Sequence, residues 1–237
     1  MAEYRRARHR NVARVLDALD AGVLTRANCY FGGGTRIALE LDEFRESEDI
    51  DFICSSIAGY RLLRAGIENR SLGELMPALR GGVSLLRDVR TDQYGIRTIF
   101  GVDGEPVKFE IILEARIVVK AAKLKRIPVP VLDRSSCFAE KWLANADRWN
   151  DKSVLSRDAI DLAFMLHAWD IEDALAGAAL ATAAYGKAVV RAARAASTTL
   201  LENANYRKQC IENLAIDDAK KLVSGLKLFP GVLKAIH

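Results

Sequence analysis

Phe31-Gly32-Gly33-Gly34-Thr35-Arg36-Ile37-Ala38-Leu39, followed by Arg45-Glu46-Ser47-Glu48-Asp49-Ile50-Asp51-Phe52, sets a glycine-rich helix start ahead of two carboxylates. Asp49 and Asp51 flank Ile50 and lead into the apolar Phe52-Ile53-Cys54. On a strand of period two, both carboxylates emerge on one face. Two adjacent carboxylates repel each other, and two chemistries suit such a pair: a coupled acid/base dyad, or hard oxygen ligands for Mg²⁺ bridging protein to nucleotide phosphates. The glycines let the backbone approach a ligand closely. The helix that follows offers unpaired N–H groups and a positive dipole end to an anion.

Outward from this block, residues 6–22 place Val12, Val15, Leu16 and Leu19 at helical spacing, predicting one amphipathic helix that ends near Gly22. A strand is expected at 29–31, a helix at 34–42, a strand at 50–54 and one or two helices over 58–80. The periodicity then changes. Strands are expected at 85–89, 97–102 and 107–113, with Asp103-Gly104 as a two-residue hairpin turn between the last two. Pro128 and Pro130 restrict 129–132 to an edge strand or an extended linker. From Ser135 onward the pattern is helical, including an alanine-rich stretch at 174–196 and an amphipathic one at 217–228. The expected fold is α+β: a mixed β-sheet with flanking helices in a core domain of residues 1–132, then an all-α helical domain of residues 133–237.

Composition narrows the class. The 237 residues are 50% hydrophobic, which suffices for a large core. The four cysteines are scattered without a C-x-x-C pair, which predicts buried reduced thiols and a cytoplasmic location rather than a disulfide framework or zinc site. No apolar run is long enough to cross a membrane, and no apolar segment follows the basic start. The net charge of +4 does not by itself identify an RNA partner, but the charge is grouped. Arg5, Arg6, Arg8 and Arg10 form one cluster; Lys120, Lys123, Lys125 and Arg126 a second; Lys187, Arg191 and Arg194 a third. Each is a solvated face or a phosphate-backbone surface.

Further candidates lie downstream. In Val107-Lys108-Phe109-Glu110-Ile111, alternation sends Lys108 and Glu110 to the face opposite the apolar residues. Glu110 is then a third metal carboxylate, a base for an attacking hydroxyl, or half of a solvated pair with Lys108. Lys141 and Arg148 stand seven apart and share a helix face. Asp158 and Asp161 are either site residues or a locally ion-paired acid pair beside Arg157, and Ser47 either contacts nucleotide or caps the strand. The three histidines, His9, His167 and His237, are dispersed and suggest no triad.

Gly33-Gly34-Thr35, Arg45, Ser47-Glu48-Asp49-Ile50-Asp51, Lys141 within Phe138-Ala139-Glu140-Lys141-Trp142-Leu143, Arg148 and Arg157-Asp158-Ala159-Ile160-Asp161-Leu162 together resemble the nucleotidyltransferase superfamily, and within it the AbiEii/AbiGii toxin family. The resemblance implies an NTP substrate, with phosphates on Gly33, Gly34 and Thr35 and further nucleotide contacts from Ser47, Lys141 and Asp158. It implies two Mg²⁺ ions held by Asp49, Asp51 and Glu110, with Lys141 at the triphosphate. The expected reaction moves a nucleoside monophosphate to an acceptor hydroxyl, the 3′ end of a tRNA, in a toxin that has a cognate antitoxin. A small-molecule nucleotidyltransferase of the antibiotic-modifying kind and a non-catalytic nucleotide-binding protein are the alternatives.

Overall fold

The computed structural model describes residues 4–67, 71–77, 79 and 82–235. The chain forms two compact units, one of residues 1–39 and 47–133, the other of residues 40–46 and 134–237.

The first unit is built on a mixed sheet. Its strands are β1 (Cys29–Gly32), β2 (Ile50–Cys54), β3 (Val83–Thr91), β4 (Gly95–Val102), β5 (Glu105–Leu113), β6 (Ala121–Ala122) and β7 (Val131–Leu132), in the order β3-β4-β5-β2-β1-β7-β6. β2 runs parallel to β5 and β1 parallel to β7, and the other neighbours are antiparallel. Around the sheet lie α1 (Ala7–Ala18), α2 (Ala21–Arg26), α3 (Gly33–Glu40) and α4 (Ile57–Ala65), with a single 3₁₀ turn at Gly73–Leu75 in the stretch expected to be helical. Other parts of that 58–80 expectation lie outside the described residues.

The expected 6–22 helix is two helices. α1 buries His9, Val12, Val15 and Leu16 and stops at Leu19, because Asp20 caps α2 instead by accepting the Val23 N–H at 2.7 Å. A carboxylate is favoured at an N-cap and neutral at best inside a helix. The hairpin turn is as expected: Asp103 and Gly104 have φ of 51° and 86°, the left-handed pair that a type I′ turn needs.

One expectation is overturned at the prolines. β7 is an inner strand, paired to β1 at Phe31↔Val131 and to β6 at Ala122↔Val131, and the edge is β6. The prolines precede the two paired residues, so no ladder N–H is lost, and the Pro130 carbonyl accepts the Phe31 N–H at 2.9 Å.

A row of phenylalanines crosses the sheet on its core face. Phe31, Phe52, Phe109 and Phe100 follow one another with ring centroids 5.6, 5.7 and 5.5 Å apart. All four are essentially inaccessible, and each such side chain contributes roughly 1.5–3 kcal/mol of transfer free energy. This burial sets the register of β2 and β5. Strand alternation then sends Asp51 and Glu110 to the opposite face.

The second unit is helical: α5 (Arg134–Arg148), α6 (Arg157–Ala168), α7 (Ile171–Tyr185), α8 (Lys187–Glu202), α9 (Ala204–Asn213), α10 (Ala219–Leu226) and α11 (Phe229–Ala235). The alanine-rich stretch is divided at Gly186, whose φ of 59° ends α7. Trp142 of α5 is fully buried edge-on against Phe229, centroids 5.2 Å apart. The short segment Glu40–Glu46 is woven into these helices. Phe44 stacks on Phe164 at 4.0 Å, its carbonyl accepts the Asp217 N–H at 2.9 Å, and the Glu46 N–H reaches the Leu214 carbonyl at 3.0 Å.

All four cysteines are buried and free. No described helix is long and apolar enough to cross a membrane.

Candidate active site

The first unit assembles its candidate site from strand register. Gly32 on β1 opposes Asp51 on β2, Asp51 aligns with Glu110 on β5, and Glu110 opposes Arg97 on β4. These four positions form one row across four strands, on the face away from the phenylalanines. Asp49 stands just ahead of β2, about a third exposed, with Lys108 Nζ 3.8 Å from its Oδ1.

Gly33 begins α3 directly after the row. Its φ is +69°, and a Cβ there would collide with the Asp51 carboxylate. Only glycine tolerates both conditions. The backbone at the start of α3 therefore lies against Asp51, at the end of the helix where the first N–H groups lack an intrahelical carbonyl.

Thr35 and Ser47 meet through their hydroxyls at 2.8 Å, with Thr35 fully buried. His9, dismissed in the sequence, is wholly buried, and its Nε2 accepts the Ser47 N–H at 3.2 Å. An imidazole nitrogen that accepts carries no hydrogen, so this His9 is bound as the tautomer protonated on Nδ1. The only sequence signal for it was a polar residue on the apolar face of α1. Ser47 is thus positioned by both α1 and α3.

The Glu110 carboxylate is engaged by Arg97 Nε, and Arg97 Nη1 also reaches Asp92 Oδ2 at 2.9 Å. Asp92 is fixed in turn by the Tyr94 and Gly95 N–H groups, at 2.7 and 2.9 Å, and these bonds hold its carboxyl below the usual range. Lys108 and Glu110 therefore pair with different partners, Asp49 and Arg97, rather than with each other.

In the second unit, Lys141, Asp158, Asp161, Arg45 and Arg148 form a continuous ion-pair chain. Lys141 Nζ lies 2.9 Å from Asp158 Oδ1 and 2.7 Å from Asp161 Oδ2. Arg45 grips Asp161 in bidentate fashion at 2.6 and 2.9 Å, and Arg148 grips Asp158 likewise at 2.6 and 2.9 Å. The shared face expected of Lys141 and Arg148 is present, and both turn to one carboxylate. Local pairing of Asp158 and Asp161 with Arg157 is replaced by these partners.

Lys141 is not the solvated residue its type suggests: it is 6% exposed. Burial alone would push the Asp158 carboxyl up, but Lys141 and Arg148 outweigh it and hold the group well below the carboxylate range. Asp161 is lowered in the same way against its burial by Arg45 and Lys141, and the two carboxylates overcome desolvation to raise Lys141. Three cations enclose two anions, so every member stays charged.

Among the described residues, no three side chains of metal-ligating type converge on one point. A pair of carboxylates still fits Mg²⁺, which takes one or two protein carboxylates and fills its remaining positions with substrate phosphates and water. Asp49 and Asp51 are hard oxygen donors, and the Asp51 carboxylate lies directly against the glycine backbone at Gly33.

Three comparisons bear on this site. No curated protein matches the chain. Two solved structures share its fold over nearly their whole lengths. One is JHP933 from Helicobacter pylori, at 14% identity, covering 98% of this chain and 95% of that one with a TM-score of 0.56. The other is an H. pylori protein described as a candidate nucleotidyltransferase, at 15% identity, covering 97% and 96% with a TM-score of 0.52. The family described as "Nucleotidyl transferase AbiEii toxin, Type IV TA system" matches residues 14–223, a span that takes in the glycine row, both aspartates and the ion-pair chain. With nine-tenths of its length inside that match, the chain belongs to the AbiEii nucleotidyltransferase toxins of type IV toxin–antitoxin systems.

Proposed function

We propose that this nucleotidyltransferase transfers a nucleoside monophosphate from an NTP to a hydroxyl of RNA, at the 3′ end of a tRNA, in the cytoplasm, and that a cognate antitoxin counters it. The observation that carries the reading is the row Gly32–Asp51–Glu110, closed by a glycine helix start with no room for a side chain beside Asp51. In this reading the N–H groups of Gly33, Gly34 and Thr35 receive the phosphates. Ser47, fixed by Thr35 and His9, orients the nucleotide.

Asp49 and Asp51 would hold Mg²⁺, and Glu110 stands next to Asp51 in the strand register as a third carboxylate. When bound, the metal lowers the pKa of an acceptor hydroxyl and neutralises departing pyrophosphate. The acceptor oxygen bonds to the α-phosphorus as the bond from that phosphorus to the bridging oxygen of the β-phosphate breaks. Pyrophosphate leaves with the electron pair, and the hydroxyl proton passes to water.

Arg97 orients Glu110. Lys141 and Asp158 enter as positioning residues: with Asp161 they hold Arg45, and Arg45 precedes Ser47 by two residues and Asp49 by four. A direct grip of Lys141 on the triphosphate requires its ammonium to leave two carboxylates.

The basic clusters suit RNA better than cationic antibiotics. The test is incubation of purified protein with each α-labelled NTP, Mg²⁺ and total RNA or aminoglycoside. Label in RNA supports the reading. Label in the aminoglycoside, or nucleotide binding without pyrophosphate release, defeats it.

A further inference from the structure

The second unit carries a basic stripe on α8 that the nucleotide site does not use. Lys187, Arg191, Arg194 and Thr198 stand at i, i+4, i+7 and i+11, so they project from one narrow face. At about 1.5 Å per residue the stripe is roughly 16 Å long. All four are exposed, while Val189, Val190, Ala192, Ala193 and Ala196 on the other side of the helix are buried. Burial of that side fixes the stripe outward.

The stripe's charges are unneutralised. Among the described residues, Lys187, Arg191 and Arg194 form no ion pair, in contrast to Arg45, Arg97, Arg134 and Arg148. No acidic residue interrupts the face before Glu202 at the far end of α8. Ala195 keeps the ground between the cations low, and with Thr198 and Thr199 it lines a shallow open groove of about 620 Å³.

Lys187 is also misplaced for stability. It occupies the first turn of α8, where the helix dipole disfavours a cation, with no acid in that turn and no side-chain cap from Gly186. Helix formation does not call for this charge.

We infer that this face of α8 grips the phosphate backbone of the RNA acceptor. The inference rests on the proposed function for the identity of the partner. Contact is through charge and hydroxyl groups, so it holds RNA without reading bases. The linear spacing of three cations along a straight rod suits successive phosphates of one strand. An acidic protein surface is the competing occupant.

The test compares wild-type protein with the K187A/R191A/R194A variant. A fluorescein-labelled stem-loop RNA with a single-stranded 3′ end is titrated at several salt concentrations, and NTP binding and the melting temperature are read beside it. Loss of three phosphate contacts is expected to weaken RNA binding at least tenfold and to reduce the slope of log K against log salt by about two. Nucleotide affinity and melting stay unchanged, because the side chains are exposed and alanine is a strong helix former.

Equal RNA affinity and equal salt slope in the two proteins overturn the inference. So does tighter binding of a polyglutamate peptide than of RNA to the wild type. The proposed function fails separately: RNA that binds with the expected slope but never acquires a labelled nucleotide leaves the α8 surface standing and removes the transfer reaction. Labelled RNA with an unchanged RNA KM in the variant does the reverse.

Discussion

Gly33 and Asp51 occupy a space that admits no further atom: a Cβ on Gly33 would overlap the carboxylate that strand β2 presents to it. Gly33→Ala is expected to cost about 1–3 kcal/mol from the left-handed φ alone. It should also displace Asp51 and lower nucleotide transfer at least tenfold. Thermal melting read beside a transfer assay separates the two effects, and a variant that melts low but turns over normally would remove Gly33 from the site.

Asp49→Ala and Asp51→Ala are each expected to abolish transfer while leaving the melting temperature at or above that of the wild type. Removing one of two neighbouring carboxylates relieves repulsion as it removes metal affinity. Transfer at the wild-type rate in either variant would contradict the assignment.

Glu110→Gln is expected to lower kcat more than it raises the NTP KM, because a carboxylate beside Asp51 acts where the acceptor is activated. Arg97→Ala should produce a weaker version of the same change by freeing Glu110. Equal kinetics in both variants would mean that the Arg97–Glu110 pair serves the sheet alone.

Lys141→Ala leaves Asp158 and Asp161 as buried carboxylates short of a cation, and about 3–5 kcal/mol of stability is expected to be lost. Chemical denaturation measures it directly. If Lys141→Ala keeps its stability but loses NTP affinity, the ammonium belongs to the triphosphate after all.

Acid should act on the same cluster. Asp158 and Asp161 have carboxyls lowered by folding, so their stabilising contribution is present above the unfolded carboxylate range near pH 4 and drains away as pH falls below it. Circular dichroism of the wild type should hold its helical signal to lower pH than that of Arg148→Ala, which removes one of the cations responsible. Superimposable acid transitions would show that the ion-pair chain does not govern acid stability.

Much of the sheet was legible because β5 alternates from Val107 to Ile111, because β2 is an apolar run broken by Asp51 alone, and because Asp103-Gly104 favours a tight hairpin. The glycine start and Asp51 were legible for a related reason, since backbone freedom and a carboxylate before an apolar strand leave a local trace. What strand order brought together was not. Nothing near Glu110 announces Arg97, and nothing near Ser47 announces His9, 38 residues away. The burial of Lys141 was not legible, because lysine is seldom buried and its partners lie 17 and 20 positions along the chain. The inner position of β7 escaped notice because two paired residues after a proline look the same in sequence whether one neighbour or two will bond to them.

The weaving of Glu40–Glu46 into the helices bears on whether either half of this protein can exist alone. The polypeptide leaves the sheet unit after Leu39, returns at Ser47, and departs again after Asp133. A fragment beginning at Arg134 lacks Arg45 and leaves the fully buried Asp161 carboxylate with Lys141 as its remaining cation. A fragment ending at Asp133 keeps Phe44 and Arg45 but removes Phe164, Asp217 and Asp161 from beside them. Division of the chain between Asp133 and Arg134 therefore splits the helical unit itself, since Glu40–Glu46 belongs to it.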